Sequence, residues 1–113
     1  MSGHIVYMAD DAEQAALGAA LSNDSACAAV CAQLSADDFF RDSHRRIFDA
    51  ITRLHAADRA VDQVTIGSEF PAGELRDLVY ALPERCPSAA NVGEYIGRVR
   101  QAERSRRYQR HAE

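Results

Sequence analysis

Residues 42–57 read DSHRRIFDAITRLHAA, and this stretch decides the fold. His44, Ile47, Phe48, Ile51, Leu54 and His55 recur in steps of three and four, with Arg45, Arg46, Asp49 and Arg53 between them. That spacing puts the first set on one face of an α-helix and the charges on the other. Asp42 or Ser43 is expected to cap its start, and the pattern fades at Ala57-Asp58.

Upstream, Cys27, Val30, Cys31 and Leu34 form a shorter stripe behind the cap signal Asn23-Asp24-Ser25. Before it, Ala12 to Leu21 carries alanine on nearly every face, as a helix packed on all sides would. Gly18 interrupts it at a cost of about 1 kcal/mol against alanine, which a close helix crossing there would explain. Ser35 to Phe40 reads as a turn dropping both Phe39 and Phe40 into the core. Downstream, Thr65 is expected to cap a single turn, and Gly67 to Gly73 to form a loop. Leu75, Leu78, Val79 and Leu82 repeat helically until Pro83 stops them. Cys86 to Asn91 reads as a turn and cap, and the last helix presents Val92, Tyr95, Ile96, Val99 and Ala102. Beyond Ala102 the stripe ends while helical composition continues through Arg110. The expected fold is all-α: a compact orthogonal bundle of about five to six helices. Residues 1–10 read as a flexible leader, 11–103 as the helical domain, and 104–113 as an arginine-rich helical extension.

Composition supports this. Of the 113 residues 21 are alanine, the best helix former, and only 7 % are aromatic. A chain this long is one domain. All 13 basic side chains are arginine. Without lysine there is no P-loop phosphate lysine and no Schiff-base nucleophile. No run approaches the ~20 apolar residues of a membrane span, and no signal-peptide pattern opens the chain. The expected location is cytoplasmic, with the three cysteines reduced.

Cys27 and Cys31 lie four apart on one helix face, so both could reach one metal ion, with His44, His55 or Cys86 completing the set. Structural zinc favours paired knuckles, and these cysteines occupy stripe positions. They are therefore read as core thiols, with no metal and no cofactor assigned. His44 lacks a partner at catalytic spacing and is expected to bond a neighbouring backbone group or acid. Asp37-Asp38 is read as a capping pair, and no catalytic residue is assigned.

Charge supplies the one functional-looking constellation. Residues 1–97 carry seven arginines and fifteen acids, a balance of −8, whereas residues 98–113 carry six arginines and two acids, a balance of +4. Arg98, Arg100, Arg104, Arg106, Arg107 and Arg110, with Tyr108, could meet an acidic protein surface or a nucleic acid. They wrap around their helix, and the whole chain is acidic, which favours an acidic protein surface, or simple solvation of the helix face, over direct DNA binding.

The order of motifs carries a resemblance. Glu13-Gln14 and Leu17-Gly18 come first, then Asp38-Phe39, His44, Phe48, Asp62, Thr65, Pro87, Ala90-Asn91 and Tyr95. Over about residues 11–107 this pattern resembles the N-terminal domain of the bacterial replicative DNA helicase, the DnaB family. The resemblance implies a non-catalytic, compact helical collar domain that helps dimers and hexamers assemble and contacts primase and helicase loaders. ATP hydrolysis belongs to a separate RecA-like domain, consistent with the missing lysine. It also implies a helical hairpin after the last core helix, carrying much of the dimer contact and the primase surface, and the chain reaches Glu113 near where that hairpin begins. The connection from Thr65 to Leu75 is shorter than the family's usual one.

The expected function is therefore a protein-interaction module of DNA replication. It would act as a stand-alone relative docking on a replicative helicase, primase or loader, or as the N-terminal segment of a longer helicase, with homodimerisation possible in either case. The alternative is a regulator or nucleic-acid-binding protein working through the arginine-rich helix.

Overall fold

A computed structural model describes the backbone of residues 2–112 and the side chains of residues 9–110. Helix α1 (Ser2–Ser22) is the axis of the fold. From Ala9 to Leu21 its apolar residues are all buried, because every face meets a neighbour. It packs against α2 (Asp24–Gln33), α3 (Asp42–Ala56), α6 (Val92–Ala112) and the 3-10 turn Leu82–Arg85. Two short helices, α4 (Gln63–Gly67) and α5 (Glu74–Ala81), close one end, and no strand occurs among the described residues. The radius of gyration is 13.5 Å, close to the roughly 13 Å of a folded hundred-residue chain. No described helix is long and apolar enough to cross a membrane.

Alanine makes the central position of α1 feasible, since small side chains let neighbouring backbones approach. Gly18 takes this furthest. A Cβ there would run into the Leu82 carbonyl oxygen and stand 3.0 Å from Cys86 Cβ. The close crossing expected at Gly18 exists, but against the backbone of a 3-10 turn rather than a second α-helix. Pro83, which ends α5, sits in that turn.

The stripe of α3 is buried at His44, Ile47, Phe48, Ile51 and Leu54. Phe48 meets Phe39 with ring centroids 5.0 Å apart. These residues join Leu17, Val30, Ile66, Val79, Leu82, Ile96 and Val99 in one core.

Several local expectations change. His55 is exposed rather than buried: it lies on the same face as His44 and Phe48, but in the last turn of α3 only Leu54 still reaches the core. Phe39 is fully buried but its neighbour Phe40 is 43 % exposed. The extended backbone at Phe39 points consecutive side chains in opposite directions. The N-cap of α3 is Arg41, with no side-chain cap bond, and Asp42 is the first helical residue. There its carboxylate still favours the positive end of the helix dipole. Asp62, not Thr65, is the N-cap of α4: its Oδ1 accepts from the Val64 and Thr65 amides, and Thr65 Oγ1 accepts from the Asp62 amide. Residues 1–10 were expected to form a loose leader, but α1 runs from Ser2. Each residue added to an anchored helix gains a hydrogen bond without a new nucleation cost.

Candidate interaction surface

Two buried groups set the geometry of the helical end from which the surface is built. Glu13 and His44 are almost fully buried, and Glu13 Oε1 lies 2.7 Å from His44 Nδ1. The second carboxylate oxygen accepts the Phe40 amide at 2.8 Å. One acid on α1 therefore ties down both α3 and the segment leading into it. His44 bonds an acid, as its lack of catalytic partners suggested.

That segment is shaped by Ser35 and Asp38. The Ser35 amide and hydroxyl both donate to the Asp38 carboxylate, at 2.8 and 3.2 Å, closing the 3-10 turn Ala36–Asp38. Asp38 thus caps its own turn rather than the following α3, and no capping bond among the described residues involves Asp37. The Asp38 carbonyl oxygen accepts from Arg106 Nη2 at 3.1 Å, and the same guanidinium stacks over Phe40, 5.2 Å from the ring centroid. The exposed Phe40 is thereby accounted for as the seat for an arginine. Partial burial holds the Arg106 pKa below its ordinary value, partly offset by Glu13 and Glu103. Its Nη1 is buried without a hydrogen-bond partner.

Around this anchor lies a groove of about 580 Å³, lined by Ser35, Asp37, Asp38, Arg45, Arg100, Glu103, Arg104, Arg106, Arg107 and Arg110. Six arginines face three acids, a balance of +3. The pairing is loose: Arg107 Nη2 is 3.5 Å from Glu103, and the two are 54 % and 16 % exposed. With Arg107 half exposed and the contact long, this pair contributes about 1 kcal/mol or less, so Arg107 can engage another anion at little cost.

The seven residues expected to act together divide three ways. Arg100, Arg104, Arg107 and Arg110 share the groove, and Arg106 is its structural floor. Arg98 belongs to a different hollow with Gln14, Arg85, Pro87 and Tyr95, and stands 3.8 Å from Glu94. Tyr108 is 77 % exposed and lines a shallow depression with Gln101, Arg104, Ser105 and Gln109. A full turn of α6 spans only 3.6 residues, so a dense run of arginines necessarily points in several directions. Arg45 was missed because it comes from α3; it lines the same groove as the α6 arginines only once α3 and α6 have both packed on α1.

Other motif residues serve the scaffold. Gln14 Oε1 accepts from Arg85 Nη1 at 2.6 Å, and Tyr95 Oη accepts the Ser88 amide at 3.3 Å next to Pro87. Leu17 is fully buried, while Ala90 and Asn91 belong to the 3-10 turn Ala89–Asn91 that opens α6.

A model of the DnaB-like helicase N-terminal domain family matches residues 7–101. The chain belongs to that family. It is 36 % identical over 94 residues to the Replicative DNA helicase DnaB of Mycobacterium leprae, covering 78 % of this chain and 16 % of that protein. The corresponding protein of Treponema pallidum is 37 % identical over 95 residues, with coverage of 79 % and 22 %. The chain therefore spans a minor part of the length of these helicases. A crystal structure of the N-terminal domain of DnaB helicase from Mycobacterium tuberculosis superposes with a TM-score of 0.77 at 34 % identity, covering 86 % of this chain and 74 % of that one. What is matched is the helical N-terminal domain of a replicative helicase, not its ATPase domain.

Proposed function

We propose that this chain is a non-catalytic interaction module of DNA replication, and that it docks on an acidic surface of a replicative helicase, primase or helicase loader through the arginine groove. Family membership supports the replication context. The observation that carries the docking site is the convergence of Arg45 with Arg100, Arg104, Arg107 and Arg110, on rigid helices, in a groove with too few acids to neutralise it. Guanidinium groups suit bidentate binding of carboxylates, and the acidic balance of residues 1–97 favours a protein partner over nucleic acid. A homotypic contact would use the same helices, with α6 lying against a second copy.

Size-exclusion chromatography with light scattering, alone and with each of the three candidate partners, tests the reading. A complex is expected that weakens as salt rises. It should be lost in Arg100→Glu/Arg104→Glu/Arg107→Glu, which leaves the Arg106 anchor in place. Failure to form a complex with any candidate at low salt defeats the proposal. Binding to single- or double-stranded DNA with a steep salt dependence would instead assign the groove to nucleic acid.

A further inference from the structure

On another part of the molecule, three potential metal-ligating atoms meet. Cys27 Sγ, Cys31 Sγ and a ring nitrogen of His55 all lie within 4.8 Å of one another, the only such group among the described residues. Cys27 Sγ is 3.9 Å from His55 Nδ1. A tetrahedral ion with Zn–S of about 2.3 Å and Zn–N of about 2.1 Å places ligands roughly 3.6–3.8 Å apart, so the 3.9 Å Cys27–His55 edge must close by about 0.3 Å and an edge at the 4.8 Å bound by about 1 Å. The geometry points to a zinc-type site formed by Cys27, Cys31 and His55, with its fourth position open to solvent.

Two further features support it. His55 is exposed, outside the apolar core that its sequence position suggested, yet its Nδ1 is directed at a thiol. The adjoining hollow, about 540 Å³, is lined by Asp24, Asp58 and Asp62 against Arg59 alone, a field that favours a cation. Two thiolates and an imidazole select zinc over hard divalent cations. Both cysteines are on α2 and the histidine is on the last turn of α3, so the ion would clip these helices together. His44 and Cys86 take no part: the first is bonded to Glu13, and the second packs near Gly18. The site shares no residue with the arginine groove, so its test is independent of the docking proposal.

The test is zinc titration of the reduced 113-residue chain by calorimetry, with cobalt(II) as a spectroscopic probe. One metal per chain is expected, with a thiolate-to-cobalt charge-transfer band and tetrahedral visible bands. Zinc should raise the melting temperature. His55→Ala, an exposed position, should fold normally by circular dichroism and lose at least about tenfold in zinc affinity, the lower bound for losing even an outer partner of a metal site. Cys31→Ser should do the same, and Cys86→Ala should bind like the unaltered chain. Absence of metal uptake, undiminished affinity in His55→Ala, or loss of binding in Cys86→Ala would each overturn the assignment.

Discussion

Glu13 and Glu103 are both acids beside cationic side chains, but one is buried in the interior and the other borders the groove. Glu13 is fully enclosed, and both its oxygens are used, by His44 and by the Phe40 amide. Glu103 has only a 3.5 Å approach to a half-exposed Arg107. The first arrangement is forced, because a buried carboxylate without partners is prohibitively costly. The second is permissive, because the contact is long and water reaches the Arg107 guanidinium. The interior end of the molecule is therefore committed to holding α1, α3 and the loop between α2 and α3, whereas the groove retains charge for something outside. Arg106 links the two: its guanidinium packs inward on Phe40 and the Asp38 carbonyl while its neighbours on α6 face solvent.

That contrast can be broken most severely from the core. Phe48→Ala removes a ring that is 3 % exposed and in contact with Phe39. A loss of roughly 3–5 kcal/mol is expected, a large share of a small domain's stability. Thermal or urea unfolding would measure it, and an unchanged melting curve would mean that α3 does not present this face to the core.

The buried acid should come next. Glu13→Ala strands the Phe40 amide and leaves His44 without its partner, at about 3 kcal/mol from unsatisfied buried groups. Glu13→Gln should cost less, since the amide oxygen still accepts one of the two bonds. Equal denaturation midpoints for the two variants would show that the pair contributes no more than the side-chain volume.

The smallest effect on stability belongs to the groove. Arg104→Ala and Arg107→Ala should each stay within about 0.5 kcal/mol of the unaltered chain. Both should nevertheless weaken partner capture. A substantial destabilisation by either would show that these arginines are structural like Arg106, and would remove the distinction between the two regions.

How much was legible in the sequence follows the range of the interactions. The stripe of α3 could be read because helical periodicity is local, and the same holds for the stripes of α2, α5 and α6. Phe40 could not be read correctly. Its exposure depends on the direction the chain takes after Phe39 and on an arginine 66 positions later in the chain. The site was legible as a charge imbalance near the C-terminus, but its membership was not. Arg45 joins it because α3 packs on α1 so that Arg45 lines the same groove, and Arg98 leaves it because it faces Gln14, Arg85 and Tyr95 instead.

By itself the sequence determined the all-α class, the helices with strong stripes, the absence of lysine chemistry and, through motif order, the resemblance to the helicase domain. Each of these depends on residue type or on spacings of a few positions, which propensity and periodicity govern. Tertiary structure alone decided that Gly18 meets the carbonyl of Leu82 and that Glu13 is buried against His44. It also divided the C-terminal arginines and Tyr108 among three surfaces and brought Cys27, Cys31 and His55 together. The physical reason is the same throughout: sterics, burial and coordination depend on distances between residues far apart in the chain, and those distances exist only once the helices have packed.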